Sequence, residues 1–495
     1  MSTMAMAHPV RLDLPEVEVR EQRLRATVSY NGTARDLSRR SKNFSLVNHE
    51  RGFEQCSTCQ QGCAGIAYNV RGAAVVEHSP IGCAQPASAA MGINVANAAR
   101  GLPDQSVNVL STNLSESDTV YGGAEKLRAT VREAKRRFSP DAIFVLSSCA
   151  AGIIGEDIEA VTSELQDELG IPVIPVFCEG FRSKIWISGI DATFHGILRQ
   201  IVKPARKKQP DLVNVFNFEG SDTFTPLLGK LDLRANYVIS LADVETLSRM
   251  SEAACTAHIC ETLATYPAKA LEQEFGVPEV RSPPPFGISW TDAWLREIAR
   301  ITDREELAEQ VIESEHKRLE PLLETMRAQL AGRRVYIFAG DSYAHSISNM
   351  LLDLGLDLIG VNTFHHDQTT DGGLEEADSL GQLVASKGDI GNFSVCDKQP
   401  FQMVKVLKDL QPDILIVRHT NMAVIGAKLG IPTIQDGDVN ISAGYDGLIK
   451  LGERLLTAWR TRRIFQNIAR HHRHPYSEWW MAQNDPFLLS SEPVA

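Results

Sequence analysis

The chain has 495 residues, 43% of them hydrophobic and 23% charged, and carries a net charge of −12. That length exceeds what one hydrophobic core sustains and predicts roughly three domains. The acidic balance without a basic stripe argues against nucleic-acid binding. Apolar runs too short to span a bilayer, and an N-terminus lacking a signal-length apolar core, predict a cytoplasmic protein with no membrane partner.

In chain order, residues 1–45 are polar and aperiodic and read as an N-terminal arm. A first α/β domain is expected over 46–210. It contains a short apolar strand ahead of Cys83, a strand Ala142–Leu146, an amphipathic helix Glu156–Gly170 and a strand Ile171–Cys178. A second is expected over 211–330, with a strand Asp211–Phe218, helices near Thr225–Lys230 and over Ser251–Phe275, a proline-rich turn Ser282–Gly287 and a charged helix Glu305–Leu330. The third, 331–460, reads most clearly. Strand Arg334–Phe338 leads into a helix through Leu354 that Gly355 ends, strands Leu356–Val361 and Asp413–Val417 follow, and after strand Ile431–Ile434 a helix runs from Gly444 to Trp459. Residues 461–495 form a tail. This alternation predicts an α/β protein of three Rossmann-like, doubly wound parallel-sheet domains with ligands at the strand carboxyl ends.

Several motifs are missing. No Gly-x-Gly-x-x-Gly follows a strand, no Gly-x-x-x-x-Gly-Lys-Ser/Thr occurs, and no His-Glu-x-x-His is found. Any ATP is therefore expected to bind another chain. The nine cysteines of a cytosolic protein are expected to be reduced. Cys178 and Cys396 stand alone and read as small buried hydrophobes. Cys56, Cys59, Cys63, Cys83 and Cys149 cluster beside small and polar residues. Cys83 and Cys149 each follow an apolar run and precede small residues that open a helix. Soft thiolates on separate loops at neighbouring strand ends suit an iron–sulfur cluster and are too dispersed for a zinc knuckle. Buried structural cysteines are the alternative.

The chain resembles the nitrogenase component 1 superfamily, in its α-subunit-like branch, over about residues 46–460. The resemblance rests on Gly62-Cys63-Ala64, His78-Ser79-Pro80-Ile81-Gly82-Cys83, and Ser148-Cys149 with Ile154-Gly155-Glu156-Asp157-Ile158-Glu159. It extends to Cys178-Glu179-Gly180-Phe181-Arg182, to Cys260 ahead of Leu271-Glu-Gln-Glu-Phe-Gly-Val-Pro278, and to Gly444-Tyr445-Asp446-Gly447. It implies half of a P-cluster (8Fe-7S) shared with a β-like subunit, with Cys83 and Cys149 matching two ligands. The first ligand is open among Cys56, Cys59 and Cys63. Cys63 keeps the Gly-Cys-Ala wording but sits too close to Cys83, and the family interval favours Cys59 or Cys56; Cys59 is chosen. The resemblance also implies a nitrogenase-type iron–sulfur–carbide cofactor on Cys260. The implied partners are the β-like subunit, in an α2β2 heterotetramer, and a separate ATP-hydrolysing 4Fe-4S reductase protein.

The chain departs from nitrogenase at the cofactor. Between Ile434 and Gly444 the family's histidine ligand is missing, and Gln435 or Asp436 stands nearby. His365, His366 and His419 lie near strand ends of the same domain. Where nitrogenases carry a glutamine and histidine that shape the dinitrogen site, this chain has Trp186 and Ile190, and isoleucine cannot donate a proton. Arginines expected after Cys83 and Cys260 are Met91 and Thr262. Dinitrogen reduction is therefore not expected. The resemblance is closest to methylthio-alkane reductase, in its D-type subunit, which implies an apolar pocket (candidates Trp186, Ile190, Met91 and His366) for a small thioether substrate. The alternatives are the scaffold on which nitrogenase cofactor matures and another nitrogenase-like reductase of the chlorophyllide type. His78 and Ser79 are expected to tune the shared cluster, and Trp479 and Trp480 to pack on a partner subunit.

Overall fold

The computed structural model describes residues 29–43, 45–46, 59–84, 98, 106–179, 187–217, 222–240, 242–366, 375–418, 420–437, 443–472 and 475–484. In chain order their strands are β1 (Tyr30–Gly32), β2 (Ala73–His78), β3 (Val109–Ser111), β4 (Ala142–Ser147), β5 (Val173–Val176), β6 (Gln209–Phe216) and β7 (Arg234–Val238). There follow β8 (Ala253–His258), β9 (Arg334–Ala339), β10 (Asp357–Thr363), β11 (Phe393–Val395), β12 (Ile414–Val417) and β13 (Thr433–Gln435). They form three sheets in two compact units, one within 57–281 and 297–305, the other within 25–56, 282–296 and 306–495. The chain is an α/β protein of parallel sheets, as its alternating pattern predicts. Among the described residues no helix is long and apolar enough to cross a membrane.

The first unit holds two sheets, ordered β3-β2-β4-β5 and β7-β6-β8, every pair parallel. Helices cover both faces of such sheets, so their strands read as unbroken buried runs, and β2 and β4 are buried at every position. The helix Ala124–Phe138 lays Leu127, Val131 and Ala134 on Val76, Ile143 and Val145. Those three positions share one helical face. The helix Ile187–Gln200 comes so close to β5 that a Cβ on Gly196 would lie 2.6 Å from Ile174 Cγ2.

The expected helix Ser251–Phe275 is corrected. Ala253–His258 is instead the strand β8, paired with β6, and the helix begins only at Glu261. The run Ala-Ala-Cys-Thr-Ala-His has a helix former's composition, but its buried ladder with β6 outweighs that preference.

The second unit is one sheet ordered β1-β11-β10-β9-β12-β13. All its pairs are parallel except β1 on β11, so the segment read as an arm supplies an antiparallel edge strand. From β9 the chain builds outward through β10 and β11 on one side, then returns to add β12 and β13 on the other. The reversal lies between β9 and β12, the position at which open α/β sheets bind ligands. Tyr336, Phe338, Met403, Leu407, Leu415 and Val417 fill the core on one face. Trp480 packs on Phe401 of its own chain at a 5.3 Å centroid separation and touches Trp479 edge-on.

Candidate functional site: thiols at adjacent strand ends

β2 and β4 are direct neighbours, with His78 opposite Ser147 at their carboxyl ends. Beyond His78 the chain makes a tight turn at Ile81–Cys83. Beyond Ser147, Ser148 caps the helix Cys149–Ile154 by accepting a hydrogen bond from the Ala151 amide at 3.3 Å. Parallel pairing therefore delivers Cys83 and Cys149 to the same edge, and both are exposed. Partial burial, the Glu77 carboxylate and then the Cys149 sulfur raise the Cys83 pKa, so the two sulfurs lie within electrostatic reach of each other.

The possible third thiols lie on the helix Cys59–Ala67. Cys59 opens it, and its side chain, like all of Cys56, falls outside the described residues. Cys63 follows one turn later on the same helix. Cys63 is fully buried, and its carbonyl accepts from Thr193 Oγ1 at 3.5 Å. Among the described residues no three cysteine, histidine, aspartate or glutamate side chains are arranged to hold a metal ion. Two exposed soft donors at a protein edge fit half of a cluster completed by another chain.

Buried polar groups surround this edge. His78 is fully buried, with Nδ1 3.1 Å from Thr112 Oγ1 and Nε2 bonded to Glu156, which also accepts from the Gly123 amide. Asp157, the neighbouring carboxylate, caps the helix Ile158–Leu169 through the Ala160 amide at 3.0 Å. Glu179 accepts from Ser147 Oγ at 2.8 Å and lies against Gly152, on the helix of Cys149, where a Cβ would collide with it. Glu77 accepts from the Tyr68 hydroxyl; desolvation first, and then this carboxylate, push the phenol's pKa well above its ordinary value. Ser79, expected as a tuning residue, donates its amide to Thr112 Oγ1 at 3.2 Å. The sequence reading missed Tyr68, Glu77 and Glu179. A carboxylate interrupting the apolar run Ala73–Val76 was the available signal.

Cys260, the expected cofactor ligand, follows β8 as the N-cap residue of the helix Glu261–Phe275 and is buried. Cys255 points into the core, where burial raises its pKa to about 12. The helix Ile187–Gln200 carries buried Ile190 and packs on the Cys260 helix through a 2.6 Å contact between His195 Nδ1 and the Tyr266 hydroxyl. Through Thr193 it also meets the helix of Cys63. Within this unit, one helix thus touches both cysteine-bearing helices. Trp186, Met91 and His419 lie outside the described residues.

In the second unit, Gln435 ends β13 and its carbonyl accepts from Arg454. Asp436 is fully buried, pairs with Arg454 and accepts from the Tyr343 hydroxyl at 2.7 Å, while Arg418 lies over the Tyr343 ring. His366 is fully buried, its Nε2 2.7 Å from Ser41 Oγ and its Nδ1 3.3 Å from Asp341 Oδ1. His345 joins the same carboxylate, with Nε2 at 3.6 Å and Nδ1 2.9 Å from Ser379 Oγ. Burial drives the His345 pKa down to about 4. The Asp341 carboxyl, though burial opposes it, is held far below its usual range by the imidazoles of His366, His345 and His365. Among the described residues, the buried histidines His345, His365 and His366 thus gather around Asp341.

A model of the nitrogenase component 1 type oxidoreductases matches residues 59–460, and the chain belongs to that family. It is 27% identical over 427 residues to the nitrogenase iron-molybdenum cofactor biosynthesis protein NifE of Methanococcus maripaludis, covering 83% of this chain and 85% of the relative. It is also 27% identical over 430 residues to a nitrogenase molybdenum-iron protein alpha chain of Methanococcus maripaludis, covering 81% of this chain and 87% of the relative. Among solved structures it resembles nitrogenase Cp1 at pH 6.5, with a TM-score of 0.68, 21% identity, and 89% and 91% of the two chains covered; this likeness concerns the fold.

Proposed function

We propose that the chain is the catalytic α-like subunit of a nitrogenase-like reductase that cleaves carbon–sulfur bonds of small methylthio-alkanes. The observation that carries the reading is the pair of exposed thiols, Cys83 and Cys149, at adjacent strand ends within electrostatic reach. Together with Cys59 they would hold this chain's half of a P-cluster, a β-like subunit supplying the rest, in an α2β2 assembly. Cys260 would hold an iron–sulfur–carbide cofactor. These groups, when bound, supply electrons delivered by an ATP-hydrolysing 4Fe-4S protein.

The chain's own residues support the remaining steps. Exposed Ile81 and Ile153 flank the two thiols in sequence and, with Val120 and Tyr121, leave apolar side chains in solvent for a docking protein to cover. Ile190 is apolar and bears no proton. An apolar lining of that kind would suit a thioether better than dinitrogen.

A second reading, a non-catalytic scaffold for cofactor assembly, is supported by the similarity to NifE over 83% of this chain, which matches at the same 27% identity as the alpha chain. One experiment separates the two. The chain is purified anaerobically with its β-like partner, iron is counted, and the complex is assayed with methylthio-ethanol and the reductase protein. Methanethiol release supports the enzyme. Transfer of a cluster to an acceptor protein without turnover supports the scaffold.

A further inference from the structure

We infer that the helix Arg462–Arg470 docks on the helix Glu305–Leu330 of a second copy of this chain, in a contact that the two copies make reciprocally. Between Glu453 and Glu478 the sequence has six arginines and no aspartate or glutamate, in a chain whose net charge is −12. Within that segment the helix Arg462–Arg470 buries none of its residues. One side of it rests on the end of the helix Thr420–Lys428, where a Cβ on Gly430 would lie 3.0 Å from the Ala469 Cβ. Ile468 precedes Ala469 by one position and so lies about 100° round the helix from that seat. Ile464 is one turn before it on the same face, and the two are 59% and 42% exposed in chain order. Arg463 and Arg470 adjoin this face. Among the described residues neither pairs with a carboxylate, and Arg470 donates to Asn467 at 3.3 Å.

A helix with an exposed apolar face beside unpaired cations calls for an acidic surface with an apolar centre. The same unit carries one. On the helix Glu305–Leu330, Leu322 is 41% exposed and lies between Glu320 and Glu324, exposed carboxylates that pair with no cation among the described residues. Leu322 shares its helical face with Gln329, seven residues on. Gln329 accepts from Arg460 at 2.8 Å, two residues before the cationic helix begins. The two patches thus border each other. A patch and its complement side by side on one molecule are both satisfied by a two-fold axis between them, which sets each copy's cationic helix on the other's acidic one. A nucleic-acid backbone would answer the arginines and leave the isoleucines in water. An anionic bilayer would repel Glu320 and Glu324.

The test follows the full-length chain by sedimentation equilibrium over a concentration series, with circular dichroism verifying the fold of each variant. The parent should form a dimer that weakens as salt rises. Arg463→Glu with Arg470→Glu should weaken that dimer about tenfold or more, and Glu320→Arg with Glu324→Arg should do the same. All four substitutions together bring opposite charges face to face again and should restore association to near the parent's. Recovery of that kind does not arise from a misfolded chain. A parent that stays monomeric, a dimer indifferent to both reversals, or a combined variant that fails to recover would each overturn the inference. A monomeric parent that binds phosphatidylserine vesicles, and loses them on Arg463→Glu with Arg470→Glu, would overturn it in favour of a lipid surface.

Discussion

His345 offers a direct test of the buried polar cluster in the second unit. Its imidazole is fully buried, 2.9 Å from Ser379 Oγ and 3.6 Å from Asp341 Oδ1, and burial lowers its pKa from 6.5 to about 4. A histidine whose folded pKa is depressed stays neutral in the native state while the unfolded chain takes up a proton. Its contribution to stability is therefore intact above pH 6.5 and is lost progressively as the pH falls toward 4. With those two values, lowering the pH from 7.5 to 5.5 should cost about 1.4 kcal/mol through this one group. Asp341 does not confuse the reading. Its carboxyl pKa is depressed below 3.8, so its own contribution is lost only at pH values below that window. Replacing His345 with asparagine removes the titrating group, and the variant's unfolding free energy should fall by about 1.4 kcal/mol less than the parent's between the two pH values. The comparison is one of pH profiles, so any constant cost of the substitution cancels. Urea unfolding followed by tryptophan fluorescence suits the question, because five of the six tryptophans lie in the unit that contains His345. Parallel pH profiles in parent and variant would refute the reasoning.

Other perturbations test the site and its scaffold. Cys83→Ser or Cys149→Ser in the complex should lower bound iron by about the content of one shared cluster, measured by colorimetric iron analysis; retention of all iron would remove that cysteine from the ligand set. Phe216→Ala, which deletes a fully buried ring packed edge-on against Phe194 at 5.2 Å, should destabilise the first unit by about 3–5 kcal/mol in denaturant unfolding followed by circular dichroism. Asp157→Ala removes the cap of the helix Ile158–Leu169 and should cost about 1 kcal/mol in the same measurement, with Asp157→Asn recovering most of it.

The readable parts of the chain are those where local pattern and tertiary role agree. Strands buried on both faces appear as unbroken apolar runs such as Ala142–Leu146, and glycines in the left-handed region, Gly170 and Gly355, end helices where the sequence placed them. β8 was misread because an alanine-rich segment favours helix when taken alone, and only its partner β6 makes it a strand. β1 is three residues long, too short for any periodicity to show. The site divides in the same way. Cys83 and Cys149 could be placed because each follows such a strand, and parallel pairing then fixes them at a common edge. The first thiol could not, since Cys56, Cys59 and Cys63 follow no such strand, and the family interval leaves Cys56 and Cys59 both open. Tyr68, Glu77 and Glu179 were not singled out as site residues for a further reason: pattern reading assigns a carboxylate to the surface, whereas Glu77 is buried with the Tyr68 hydroxyl and Glu179 is buried against Ser147 and Gly152. Glu77 nonetheless breaks the rule that its own strand otherwise obeys, a charge at the fifth of six buried positions. Such a residue is retained against its desolvation cost, and a conflict of that kind beside candidate ligands is where a functional constraint is expected.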